Sequence, residues 1–262
     1  MRIFADPERA LAVTDPDQRE LYISLGCALE NLLVAAERYG FQRDVTYFPE
    51  GETSTLGAIL NRHNDNSVYR YVPLPDELHR RLEACFAETE LRLDLIHDHL
   101  FRRWVDELTF EADHVEFANP AFRQELGQRI GEGAFGKPGL VSRLGRLLVS
   151  RLDLGESVAN QDRKIVESAA LLGVVSAATD SHLVHVRTGQ LFERLWLTAT
   201  ALGVSIHPMS QTMRIPELRS AVAELLPAQG WIPQQLFRVG FSSRDEELRH
   251  TPRRPLGDVL LA

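Results

Sequence analysis

The chain repeats itself at long range. Residues 26–40 and 189–203 both fit Gly-x3-Glu-x-Leu-x3-Ala-x3-Gly, and the two copies lie 163 residues apart in a chain of 262. The shared residues are Gly26 and Gly189, Glu30 and Glu193, Leu32 and Leu195, Ala36 and Ala199, and Gly40 and Gly203. In each copy the apolar residues recur at helical spacing and the last glycine stands where a helix can end in a left-handed conformation. Two equivalent amphipathic helices so far apart predict one chain built from two related halves, with any site between them of the kind that two subunits of a homodimer would otherwise supply.

Composition narrows what such a chain can do. A hydrophobic content of 44% and a charged content of 25% are those of an ordinary globular protein with a sizeable core. A net charge of −8 lacks the basic face that a general nucleic-acid binder needs, although it leaves room for a local basic pocket. No apolar run is long enough to span a bilayer, and the first residues lack the apolar stretch of a signal peptide, so the expectation is a cytoplasmic protein. Cys27 and Cys85 offer neither a disulfide framework nor a thiolate metal site.

Local patterns then place the elements. Asp15-Pro16-Asp17-Gln18 reads as a helix start, with Asp15 as cap, Pro16 in the first turn and Gln18 completing a capping box. Leu21, Leu25, Ala28, Leu29, Leu32 and Ala36 carry that helix to Gly40, and Val45-Thr46-Tyr47-Phe48 reads as a strand after it. Further helices are predicted over 75–88 and 98–109, from Asn119-Pro120 onward, over 140–152, over 181–202, and around Leu218, Val222 and Leu225. Strands are predicted at Leu91–Leu95, where apolar and charged residues alternate, at 169–175, at 204–206 and at 235–240. The glycine-rich stretch 131–139 reads as a loop. Strands and helices without regular alternation give an α+β fold.

At this point three stretches carry a resemblance. Asp15-Pro16 followed by 19–29 and Asn31-Leu32, the run Ala201-Leu202-Gly203-Val204-Ser205-Ile206-His207-Pro208-Met209-Ser210-Gln211, and the ending Phe237-Arg238-Val239-Gly240-Phe241 with Thr251-Pro252-Arg253-Arg254-Pro255-Leu256 resemble nitroreductase-like flavoproteins of the Acg type. The resemblance implies an α+β fold, a nitroreductase-like sheet flanked by helices, with two pseudo-symmetric halves in one chain. These would be 1–130 and 161–262, with 131–160 as a lid loop and helix. It implies FMN as cofactor, and a flavin-binding turn at Arg62-His63-Asn64-Asp65-Asn66, where Asn64 and Asn66 replace the family's Thr and second Arg. An asparagine amide binds phosphate less strongly than a guanidinium fork does. The amino-terminal Pro-Ser, Asn and Gln-Pro-Trp pattern of the branch is not found in this sequence, so flavin binding is expected to be impaired or incomplete.

The candidate cofactor residues are therefore Arg62, His63, Asn64 and Asn66 at the turn, His207, Pro208, Met209 and Ser210 beside the flavin ring, and Arg253 and Arg254, which together with Arg62 would hold the phosphate. Read without the family, the first group is a polar turn, the second a strand-end loop and the third a solvated basic tail. No side chain is assigned a catalytic role, because flavin chemistry belongs to the cofactor. His97 with His99, and His182 with His185, could each pair but lack a third ligand, so no metal site is expected. The expected function is transfer of electrons from NAD(P)H through FMN to a small nitroaromatic or quinone-like acceptor. The chain would be a monomer with an internal pseudo-dimer, or a homodimer, with no nucleic-acid or membrane partner. The alternative is a degenerate pseudoenzyme that sequesters flavin or serves a regulatory or interaction role. A third reading docks the basic amphipathic stretch 140–152 on a membrane surface.

Overall fold

The computed structural model describes residues 11–41, 62–86, 90–131 and 155–243. The expected strand at 45–48, the helix at 140–152 and the tail at 251–256 lie outside the described residues, as does the loop at 131–139 apart from Gly131, which ends a helix. Within them the order is α1 (Arg19–Arg38), β1 (Tyr69–Arg70), α2 (Asp76–Ala84), β2 (Leu91–Ile96), α3 (His99–Ala118), α4 (Pro120–Gly131), α5 (Gly155–Glu167), β3 (Leu171–Ala177), α6 (His182–Ala201), β4 (Ser205–Pro208), α7 (Gln211–Arg214), α8 (Pro216–Leu225) and β5 (Ile232–Ser242).

All strand pairings are antiparallel. β5 is the hub: it pairs with β3, β4 and β1, while β2 borders β3. Every residue of β3 is buried, because helices cover both faces of the sheet. Leu171, Val175, Phe237, Val239 and Ile206 face α6, through Leu191, Leu195 and Trp196. Leu172, Val174 and Leu236 face the opposite layer, where Phe101, Val105, Val166, Met213 and Val222 pack. The expected α+β class is therefore present, with the two-period alternation of the strands dividing the core into two layers.

Several helix boundaries differ from expectation, and α2 ends at Ala84, short of 88. Gln18 adopts φ 59°, so the first helix begins at Arg19 and not at Pro16. The Asp15 carboxylate still caps it, accepting from the amides of Glu20 at 2.9 Å and Leu21 at 2.8 Å. α3 runs on to Ala118, well past the expected end near 109. Its buried face includes Asp106, Asp113 and Glu116, and these acids interrupt the apolar periodicity that would have revealed its length.

The two copies of the repeat meet each other. Gly26 of α1 lies against Gly189 of α6, so closely that a Cβ at Gly26 would sit 2.0 Å from the Val186 carbonyl oxygen, and one at Gly189 would sit 1.8 Å from that of Ile23. Just beyond the crossing, Arg194 Nε donates to Glu30 Oε1 at 3.1 Å and Asn31 Nδ2 donates to Glu193 Oε1 at 2.9 Å. The glutamate of each copy is thus met by the residue that follows the glutamate of the other. Gly40 and Gly203 close the two helices with φ values of 75° and 71°.

The contact at the crossing is backbone to backbone, so no side-chain rotation can relieve an added methyl group. Gly189→Ala is expected to destabilise the fold by about 3 kcal/mol or more, by overpacking against a surface that cannot yield. The measurement is the urea unfolding midpoint; an unchanged midpoint would show that the helices can separate without cost.

Candidate functional site

The site grows from one buried cation. Arg238, in the middle of β5, is fully buried. Its guanidinium donates to the carbonyl oxygens of Asp65 at 2.9 Å, Ser67 at 2.6 Å and Ile165 at 3.0 Å, and to Ser168 Oγ at 3.2 Å. The Tyr69 ring lies 3.8 Å away, over its face. A buried charge is tolerable only when hydrogen-bonded in this way. The consequence is positional: segment 65–67, the end of α5 and β5 are bound to a single group.

Two of the sequence candidates come together beside it. His207 lies directly across the β4–β5 ladder from Arg238. Its Nδ1 meets Oδ1 of the exposed Asn64, one residue before the segment that Arg238 holds. Because a carbonyl oxygen can only accept, Nδ1 carries the hydrogen. Burial and the Arg238 guanidinium push the His207 imidazole down to about 3, which keeps it neutral.

The residues after His207 are fixed one by one. The Met209 amide donates to the Leu236 carbonyl at 2.9 Å. Ser210 Oγ reaches Glu20 Oε2 at 3.4 Å, and Gln211 Nε2 donates to Asp162 Oδ2 at 3.0 Å. Thr212 and Thr109 hydroxyls lie 3.4 Å apart, and Arg214 makes a two-pronged bond to Glu116 at 2.7 and 2.8 Å. The strand-end loop is therefore held by side chains of α1, α3 and α5.

Arg62 lies elsewhere. Its Nε is 2.9 Å from Glu193 Oε1, and its guanidinium stands 4.5 Å from the centre of the Trp196 ring, against α6. His63 is half-buried and Asn66 exposed. Arg253 and Arg254 lie outside the described residues. The histidine pairs take other partners: Asp98 caps α3 by accepting from Phe101, His97 stacks on His79, and His185 bonds Asp180. Among the described residues no three His, Cys, Asp or Glu side chains form a group able to hold a metal ion, and no helix is long and apolar enough to cross a membrane.

Sequence reasoning missed Arg238 and the acids behind 211–214. Arg238 had a signal, a lone charge inside an apolar strand; Asp113 and Asp162 had none, because they meet only when α3 packs on α5.

The chain has relatives in sequence and in fold. A Mycobacterium tuberculosis protein named "Putative NAD(P)H nitroreductase" is 29% identical over 288 residues, covering 99% of this chain and 82% of that protein. An uncharacterized protein of the same organism is 24% identical, covering 99% of this chain and 83% of its own length. The FMN-dependent nitroreductase of Mycobacterium smegmatis, solved in complex with NADPH, superimposes with a TM-score of 0.53 at 15% identity, over 80% of this chain and 97% of that one. The chain is nitroreductase-like in sequence and in fold. Nitroreductase A of Vibrio parahaemolyticus matches with a TM-score of 0.52 at 14% identity, over 81% of this chain and 76% of that one. No family model matches.

Behind this nitroreductase-like sheet, Asp113 is almost fully buried and its Oδ2 has no hydrogen-bond partner. Burial, with Asp162 and Glu116 nearby, pushes its carboxyl up to about 8, while burial lifts Asp162 to about 6. A carboxyl that holds its proton in the folded state and loses it in the unfolded state makes stability fall as pH rises from the ordinary carboxylate range towards 8. Asp113→Asn is expected to flatten that decline and to stabilise the fold at pH 8 by on the order of 1–3 kcal/mol. Urea unfolding at pH 5 and pH 8 reads it; parallel declines in both proteins would refute the assignment.

Proposed function

We propose that the chain is a cytoplasmic FMN-dependent oxidoreductase that takes electrons from NAD(P)H and passes them to a small nitroaromatic or quinone-like acceptor. The observation that carries this reading is the Asn64–His207 pair on a nitroreductase-like sheet edge, at the positions where the flavin ring is expected. The polar edge of a flavin ring carries one N–H between two carbonyl groups. His207 Nε2 supplies an acceptor and the exposed Asn64 amide supplies donors, so the residues present fit that edge.

In this reading His63, Asn64 and Asn66 bind the polar part of the cofactor, and the segment His207 to Ser210 lies beside the ring. Arg253 and Arg254 neutralise the phosphate; Arg62 would contribute only by exchanging its Glu193 partner for it. Bound flavin would supply reversible two-electron chemistry, and the protein binds it, orients it and sets its electrostatics. The anchors on 209–214 serve orientation by leaving that segment one conformation. The reciprocal contacts of α1 and α6 support a single chain whose two halves play the parts of two subunits.

One observation favours a second reading, a degenerate protein that sequesters flavin or serves an interaction role. Arg62, expected at the phosphate, is already neutralised by Glu193.

The test is the visible absorption of the purified protein after addition of FMN and desalting, followed by anaerobic NAD(P)H. Retained flavin that bleaches on reduction is the expected result. Retained flavin that stays oxidised selects the second reading, and no retention overturns both flavin readings. The double variant Arg253→Ala, Arg254→Ala is expected to weaken FMN binding at least ten-fold, roughly the loss of one charge-assisted contact. Unchanged affinity would remove these residues from the phosphate site.

A further inference from the structure

We propose that His207 Nε2 is a fixed hydrogen-bond acceptor that selects a ligand presenting an N–H, which in the site proposed above is the ring N3–H of FMN. The inference rests on the flavin reading for the identity of the ligand, but its structural basis is independent of it.

Asn64 Oδ1 holds the Nδ1 hydrogen, so a neutral imidazole has a bare lone pair at Nε2. Among the described residues Nε2 has no hydrogen-bond partner, and His207 is only half-buried. Turning the ring over would place a carbon where Nδ1 now meets Asn64 and so lose that contact. Nor does it readily take a second proton, because the ring is withdrawn from water and the permanently charged Arg238 stands opposite across the ladder. Asp65, the acid that opposes this effect, is itself buried beside Arg238.

The chain of causes is therefore short. Burial and Arg238 keep the imidazole neutral, and Arg238 fixes segment 65–67; the residue before that segment, Asn64, sets the tautomer; the tautomer leaves one acceptor directed away from Asn64. Such an atom favours ligands with an N–H and disfavours those that offer only carbonyl oxygens or an alkylated nitrogen at the same place. Discrimination of this type is strong where the unmatched group loses contact with water.

The experiment compares FMN with its N3-methyl analogue by quenching of flavin fluorescence, in the wild-type chain and in His207→Leu and Asn64→Leu. Wild type is expected to bind FMN about ten-fold more tightly than the analogue, the value of one neutral hydrogen bond. His207→Leu should bind the two alike, and Asn64→Leu should lose part of the preference by releasing the tautomer. A preference that persists in His207→Leu overturns the proposal, since the methyl group is then excluded by shape. So does wild-type protein that binds both flavins equally. Imidazole 15N NMR of the flavin-free chain gives the second arm: protonated Nδ1 and bare Nε2 between pH 5 and 8 are expected, and the opposite tautomer overturns the proposal. Binding of neither flavin would overturn the flavin reading and the ligand named here, while the NMR arm would still decide the state of the imidazole.

Discussion

Arg238 is the group on which the candidate site depends. A guanidinium placed in the central strand of a sheet, with no access to water, must find its hydrogen bonds inside the protein. It finds them on the 65–67 segment and at the end of α5, and so ties two distant parts of the chain to β5. Burial first, and the same charge across the ladder second, keep His207 neutral. One residue thus fixes both the position of Asn64 and the chemistry of the ring it touches. A hydrophobic residue at this place could fill the volume but would give the 65–67 segment no reason to dock.

The α1–α6 crossing does the corresponding work for the architecture. Glycines at 26 and 189 let the helix backbones touch, and close approach brings Glu30 and Glu193 into reach of Arg194 and Asn31. Arg62 joins this group and not the His207 group, stacking on Trp196 while it pairs with Glu193. The expected flavin-binding turn is therefore divided in the fold, with its first residue serving the helix crossing and Asn64 serving the strand edge. Its buried acids behave differently. Asp106, Asp113, Glu116 and Asp162 outnumber Arg163 and Arg214 between α3, α5 and α7, and Asp113 answers the imbalance by holding a proton.

What the sequence by itself determined follows from interactions between near neighbours. Helical spacing with a terminal glycine marked α1 and α6, alternation marked β2, and an unbroken apolar run marked β3, since each pattern answers to a fixed backbone period. Strands and helices without regular alternation were enough for the α+β class, and three short stretches, the ending with Phe237-Arg238-Val239-Gly240 among them, carried the nitroreductase-like resemblance. Only the tertiary structure decided that the two repeat glycines touch, that α3 runs nine residues beyond its expected end with acids on its buried face, that Arg62 turns towards Glu193, and that Arg238 governs His207. Periodicity records which face of an element is buried. It does not record which charge lies opposite another across a ladder or a helix crossing, and the protonation and pairing of buried groups depend on that placement.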